Sequence, residues 1–179
     1  MAITNADATE GVTLVLNSET DFVANNADFI DVAFLLIFGD LPKRDQKEQF
    51  LNDIKSHSIV DEDLKKILES FPKSAHPMGV LSSLTSALTS FNPSSVNVNS
   101  ESEMYLAIVK LMAKLPVLVS WVFRKREGLP LDYGDDSLGY VENITKMMFS
   151  KPNKPYEQND IVVRAINKLL ILHADHEQN

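Results

Sequence analysis

One long apolar segment, residues 101–123, limits the folds that this chain can adopt. Ser100 and Glu103 form a capping-box pair at its start, which predicts that a helix begins there. Beyond Pro116 the segment is apolar nearly all round, and a helix without a polar face is buried in a core or an interface. Two lysines interrupt the apolar run, and the uncharged stretch after them is too short to cross a bilayer. We therefore expect a buried helix of a globular domain and no membrane contact.

Most other segments with clear periodicity are helical too. A helix is predicted from Pro77 to Phe91, with one face made only of small residues. These small residues are Gly79, Ser83, Ser86 and Ser90. Such a face either lets a second backbone approach closely or is simply solvated. Only Gly11–Leu16 alternates like a strand, so the expected fold class is mainly α, multi-helical, with one short N-terminal β-strand.

Composition excludes several classes of protein. The chain has 179 residues, of which 44% are apolar, so it can form about one domain with a core. Its formal net charge is −8, which makes nucleic-acid binding a poor expectation. It has no cysteine, which excludes disulfides and thiolate metal sites. The first ten residues have no secretory pattern, and these features together fit a cytoplasmic protein.

The densest polar cluster is the C-terminal stretch from His173 to Asn179. A helix is predicted from about Asp160, with an inner face that leads to this cluster. That face consists of Val162, Ile166, Leu169, His173 and His176. The two histidines can be a hydrogen-bonded pair at a helix end, a donor site for a carboxylate, or part of a metal site. The metal site is the weakest of these, because only two or three of the usual four ligands are local.

Several stretches of this chain resemble the bacterial type of citrate synthase, over about residues 28–179. The most specific stretch is His-x-Asp-His-Glu at the end of the last apolar helix. The others are Phe34–Gly39 with Leu41-Pro42, His76-Pro-Met78, Lys114-Leu-Pro116, and Met147–Ser150 with Pro155-Tyr-Glu157.

The resemblance implies a mostly helical large domain, residues 29–179, and a homodimer through helices 77–91 and 101–123. It also implies condensation of oxaloacetate with acetyl-CoA in the tricarboxylic acid cycle, with no bound cofactor and no metal. His176 matches the oxaloacetate-binding histidine of the family. His173 is expected to support it, and Asn179 to line the substrate.

The family's remaining catalytic His and Asp residues and its carboxylate-binding Arg residues would all lie beyond Asn179. Oxaloacetate is a dianion, and one histidine cannot replace several converging cations. We therefore expect the 179-residue chain alone to be inactive. The alternative to a citrate synthase function is a non-catalytic helical dimerisation domain.

About residues 10–29 resemble a different family, elongation factor Ts, so residues 1–28 are expected to form a separate segment. In that family a strand leads into an Asp-Phe motif that is pressed against elongation factor Tu, and the match falls on Thr20, Asp21, Phe22 and Val23. This resemblance implies a fusion of two gene pieces, with elongation factor Tu as a second candidate partner.

Overall fold

The structure is a computed structural model that describes residues 27–91 and 100–174. The described residues form seven α-helices and no strand, in agreement with the predicted mainly helical class. The helices are α1 (Phe29–Phe38), α2 (Arg44–Ser56), α3 (Glu62–Ser70), α4 (Pro77–Phe91), α5 (Glu101–Glu127), α6 (Tyr140–Phe149) and α7 (Asp160–Leu172). The predicted strand Gly11–Leu16 lies outside the described residues.

The chain divides into two units. Unit 1 comprises Met1–Leu51 and Gln158–Asn179, and unit 2 comprises Asn52–Glu157. In unit 1, helix α1 begins with a reciprocal capping box between Asp28 and Asp31 and ends at Gly39, whose φ of +89° suits a residue without a Cβ. This helix packs against α7 through Val32 and Ile171, both almost fully buried. The two helices thus share a small core.

The core of unit 2 is built around α5. Trp121 is fully buried there, and its indole N–H donates to the Asp132 carbonyl at 2.9 Å. The other side chains of this cluster come from helices α3, α4 and α6, from α5 itself and from the segment before α3. The buried members of the cluster are Val60, Leu64, Leu68, Val80, Leu84, Leu88, Val117, Leu118, Val122 and Met147. The sequence-based prediction that this long helix is buried is confirmed for most of its second half.

Helix α5 is also the one helix in the described part of the chain that is long and apolar enough to cross a membrane. Its packing gives a simpler reason for that composition, because Val109, Leu118 and Trp121 are inaccessible in the core of unit 2. Two of its cations are buried as well. Lys114 and Arg124 are 9% and 2% exposed, and both donate to backbone carbonyls.

Local signals set the starts of α2 and α6. Helix α2 begins at Arg44, two residues after Pro42. Helix α6 begins at Tyr140, after a turn at Asp135. The Asp135 carboxylate accepts from the Ser137 backbone N–H and holds this turn. Glu142 then reaches back to the Gly139 N–H at 2.7 Å and opens the helix.

Candidate functional site

The predicted oxaloacetate site lies at the end of α7 and just beyond it. Of its three predicted residues, the structure describes His173. Asn159 caps the start of this helix by accepting from the N–H groups of Ile161 and Val162. The helix ends at Leu172, and His173 is its C-cap residue. The predicted substrate-binding residues His176 and Asn179 lie outside the described residues.

Helix α7 is held in register on α1 by one long-range hydrogen bond and one apolar contact. The Asn167 side-chain oxygen accepts from the Phe29 backbone N–H at 2.9 Å. Near the other end of α7, Ile171 packs against Val32. Together these contacts determine which side of α7 faces α1. They therefore also determine the position of His173 at the end of α7.

His173 is exposed, and its ring is oriented by its own helix. Nδ1 lies 2.7 Å from the Leu169 carbonyl oxygen, and since a carbonyl can only accept, Nδ1 carries the proton. In the neutral ring, Nε2 is then an acceptor, and it can donate to a carboxylate only when the ring is an imidazolium. This geometry suits a histidine that caps the helix end. It is less suited to a histidine that binds an anion directly.

The predicted inner face of α7 is wrong. Val162, Leu169 and His173 are exposed, and Ile166 is only partly buried. The side that faces α1 is turned by about one residue. Its members with contacts to α1 or its first residues are Asn167, Ile171 and Ala174. Both stripes are mostly apolar and follow helical spacing, so periodicity alone could not decide between them.

Unit 2 contains buried polar groups that the sequence did not predict. Arg124 donates from Nη1 to the carbonyls of Met147 and Ser150, each at 2.9 Å, and from Nε to the Pro130 carbonyl. Arg124 thereby ties the last turn of α5 to the end of α6. A hydrogen-bonding signal of this kind is not visible in the sequence.

Asp132 is the acidic member of the same region. Burial favours its neutral form, but the Gly134 N–H, the Lys146 ammonium and the Ser150 hydroxyl all donate to its carboxylate. These bonds outweigh burial and hold the pKa of Asp132 below its ordinary value. The ion pair with Lys146 spans 3.0 Å and closes the loop between α5 and α6.

Lys114, in the middle of α5, is the second buried cation of this helix. Its ammonium donates to the carbonyls of His57, at 3.0 Å, and of Ile59. Burial, reinforced by the charge of Lys110, lowers the pKa of Lys114. A cavity of about 250 Å³ lies beside it, and its lining includes Ile59, Leu88 and Phe91.

The described residues contain neither a candidate metal site nor the residues of the elongation factor Ts resemblance. Among the described residues no three His, Cys, Asp or Glu side chains are grouped as a metal site would require. Thr20, Asp21, Phe22 and Val23, predicted to contact elongation factor Tu, lie outside the described residues.

Comparison with known proteins shows to which family this chain is similar. The family model for the citrate synthase C-terminal domain matches residues 1–179. The chain is 40% identical over 178 residues to citrate synthase 1 of Mycobacterium tuberculosis, and 42% identical over 177 residues to citrate synthase of Corynebacterium glutamicum. Each alignment covers 99% of this chain.

A solved structure gives the same result for the fold. The crystal structure of citrate synthase from Pyrobaculum aerophilum superposes with a TM-score of 0.74 and 28% sequence identity. The superposition covers 87% of this chain and 39% of that chain.

These matches also bear on the extent of the chain. It spans 41% of the Mycobacterium protein and 40% of the Corynebacterium protein. The segment 1–28 lies inside the family match, and the elongation factor Ts resemblance is not shown. This chain belongs to the citrate synthase family.

Proposed function

We propose that this chain is part of a citrate synthase, the enzyme that condenses oxaloacetate with acetyl-CoA to citrate and free CoA. The observation that carries the proposal is the identity of about 40% to citrate synthases, maintained over 99% of the chain. A location in the cytoplasm goes with the proposal. Because the chain spans about 40% of those relatives, the activity belongs to the complete catalytic unit.

Within that unit, this chain contributes to the oxaloacetate site. His176 binds the substrate, because an imidazole N–H can donate to a carboxylate or keto oxygen. His173 supports it from the helix end, consistent with the Nδ1 contact to the Leu169 carbonyl. Asn179 lines the same site. The proton abstraction from acetyl-CoA and the stabilisation of the resulting enol require other residues of the family's fold.

The 179-residue chain by itself does not form citrate under this proposal. Oxaloacetate carries two carboxylates, and tight binding of such a dianion needs several donors that converge on it, preferably guanidinium groups. On α7 the three residues that precede His173 are Leu170, Ile171 and Leu172, and Arg124 of unit 2 is committed to backbone carbonyls.

A chimaera provides the test. The 177 aligned residues of the C. glutamicum citrate synthase are replaced by this chain, and CoA release is followed with both substrates present. The proposal expects citrate formation by the chimaera and none by this chain alone. A folded chimaera without citrate formation contradicts the assignment of function. Citrate formation by the isolated chain contradicts the proposed inactivity.

A homodimer through α4 and α5 is part of the same proposal. The small residues Gly79, Ser83, Ser86 and Ser90 are all exposed on α4. On α5, Met104 and Leu111 are 45% and 44% exposed although they are large and apolar. Exposed apolar residues beside a face of small residues are typical of an interface that lets two backbones approach.

Sedimentation velocity tests the dimer. Leu111→Arg is expected to shift the chain from dimer to monomer, because it places a charge within the interface. Ile59→Arg is a matched control, since Ile59 is 67% exposed and lies on neither helix. A monomeric wild-type chain at micromolar concentration, or a Leu111→Arg variant that dimerises like the wild type, contradicts the proposed interface.

The other two candidate functions have their own test. Contact with elongation factor Tu stays a prediction that depends on Asp21 and Phe22. It requires that the chain accelerate GDP release from elongation factor Tu and that Phe22→Ala abolish the effect. A chain that neither accelerates GDP release nor supports citrate formation in the chimaera corresponds to the helical domain without chemistry.

A further inference from the structure

Lys114 lies in surroundings that favour a neutral amine over an ammonium. The acceptors described for its side-chain nitrogen are two uncharged groups, the backbone carbonyls of His57 and Ile59. Burial lowers the pKa of Lys114, the charge of Lys110 lowers it further, and the charge of Asp61 opposes this effect in part. The neutral amine is the nucleophilic form of a lysine, and burial beside a second cation is one way in which proteins populate it.

The cavity beside Lys114 has room for a small acyl group. Its volume is about 250 Å³, whereas one molecule in liquid water occupies about 30 Å³. Its lining is mostly apolar and includes Leu64 and Phe91, with Asp61 as its acidic member. Another lining residue, Ile59, is 67% exposed, which places part of the cavity wall at the surface of unit 2. A reagent can therefore approach Lys114 from solvent on this side.

The hydrogen bonds of Lys114 leave one position on its nitrogen for chemistry. An ammonium carries three N–H donors. Two of these suffice for the carbonyls of His57 and Ile59. When the third proton leaves, the nitrogen holds a lone pair at that position and both carbonyls keep their donors. The neutral amine is thus compatible with the folded structure.

We propose that Lys114 is a nucleophilic lysine that takes an acetyl group directly from acetyl-CoA. The choice of this acyl thioester rests on the proposed function, in which acetyl-CoA is a substrate. The amine nitrogen attacks the thioester carbonyl carbon, a C–N bond forms and the C–S bond breaks. CoA leaves as a thiolate and takes up the proton that the nitrogen loses. The products are acetyl-lysine and free CoA.

Acetylation changes the contact between α5 and the segment before α3. The amide of acetyl-lysine has one N–H, so it can donate to only one of the two carbonyls that the ammonium holds. The other carbonyl loses its donor in a partly buried position. We therefore expect faster hydrogen exchange of the amides of residues 57–60 in the acetylated chain. The modification would make this contact responsive to the supply of acetyl-CoA.

Peptide mass spectrometry of the 179-residue chain during incubation with acetyl-CoA tests the proposal. The comparison is with Lys66, an exposed lysine whose pKa is raised by its hydrogen bond to Asp63 and by the charge of that carboxylate. Lys114 should be acetylated at least about fivefold faster, since a pKa lower by one unit gives about ten times more amine. In urea above the unfolding midpoint the two rates should become similar, because the difference depends on the fold.

Lys110→Met is the diagnostic variant, because it removes the charge that helps to lower the pKa of Lys114. It should slow the acetylation of Lys114 and leave that of Lys66 unchanged. Lys73→Met is the matched control, since Lys73 is an exposed lysine of unit 2 outside the cavity lining, and it should change neither rate. Acetylation of Lys114 no faster than that of Lys66 in the folded chain overturns the proposal. So does a Lys110→Met variant in which Lys114 reacts at the wild-type rate.

Failure of this inference and failure of the proposed function are distinguishable. If Lys114 reacts as expected but the citrate synthase chimaera forms no citrate, the nucleophilic lysine is established and the proposed activity fails. If the chimaera forms citrate while Lys114 reacts no faster than Lys66, the nucleophilic lysine is what fails.

Discussion

Replacement of Tyr140 by phenylalanine tests how this fold tolerates a proline in the middle of its longest helix. Pro116 lies inside α5 and has no N–H to donate to the Met112 carbonyl four residues earlier. The Tyr140 hydroxyl donates to that carbonyl at 2.8 Å. Burial also raises the pKa of Tyr140, so the hydroxyl keeps its proton and remains a donor at neutral pH. A residue of α6 thus replaces the backbone donor that α5 lacks.

The cost of removing this hydroxyl follows from the partner it leaves behind. A carbonyl oxygen deprived of its donor in a partly buried position costs about 1–2 kcal/mol of unfolding free energy. For a chain of this size that corresponds to a decrease in Tm of roughly 2–8 °C. Urea unfolding followed by far-UV circular dichroism at pH 7 measures the free energy directly.

A double-mutant cycle separates this explanation from a general packing defect. Pro116→Ala restores a backbone N–H, so Tyr140→Phe should cost less in that background by about 1 kcal/mol. An equal cost of Tyr140→Phe with proline and with alanine at position 116 would refute the reasoning. So would a Tyr140→Phe variant as stable as the wild type.

Five other substitutions, at four residues, have defined expectations. The pKa of Asp132 is lower in the folded chain than in the unfolded chain, so its carboxylate stabilises the fold above about pH 4. This stabilisation is lost as the pH falls through the folded-state pKa. Asp132→Asn should therefore show a weaker loss of stability between about pH 5 and pH 2, measured by urea unfolding at each pH. Gly79→Ala should raise the unfolding free energy by about 0.5–1 kcal/mol, since a Cβ there meets nothing within 4 Å, whereas Gly134→Ala should lower it by about 1–2 kcal/mol because its φ is +92°. Arg124→Met should cost more than about 3 kcal/mol in the same assay, and Arg124→Lys should recover only part of it, because an ammonium cannot reach the three carbonyls that the guanidinium fork reaches.

Helix starts and stops were predictable where a local chemical signal sets them. Ser100 caps α5 as its capping-box pattern predicts, with its hydroxyl 3.4 Å from the Glu103 N–H. Gly128 ends the same helix at a φ of +72°, a conformation that glycine adopts readily. Pro77 is the first residue of α4 as expected. Each of these signals acts within four residues, so no knowledge of the tertiary structure was needed.

The orientation of α7 was not predictable for the opposite reason. Its sequence is apolar on two sides, and the choice between them depends on which side α1 covers. That choice is made by the Asn167 contact to the Phe29 N–H, which joins residues 138 positions apart. No pattern within the helix contains this information, which explains why the predicted inner face was wrong.

The buried cations were missed on similar grounds. Lys114 and Arg124 are charged residues of a helix, and such side chains are usually solvated. Nothing in the sequence indicates that these two are buried. Their acceptors are carbonyls of other segments, such as those of His57 and Met147. Backbone acceptors leave no trace in the identity of a residue, so such bonds emerge only when the fold brings the segments together.

The most direct test of the central claim is the kinetic effect of His176→Ala in the citrate synthase chimaera. If His176 donates to oxaloacetate, its loss removes a hydrogen bond to a charged group worth about 1.5–3 kcal/mol. The value of kcat/KM for oxaloacetate should then fall roughly 10–150-fold. The KM for acetyl-CoA should stay unchanged, and the control His76→Ala, at an exposed histidine of unit 2, should leave both constants as they are. A chimaera whose oxaloacetate kinetics are the same with and without the His176 side chain would contradict the assignment of this chain to the oxaloacetate site.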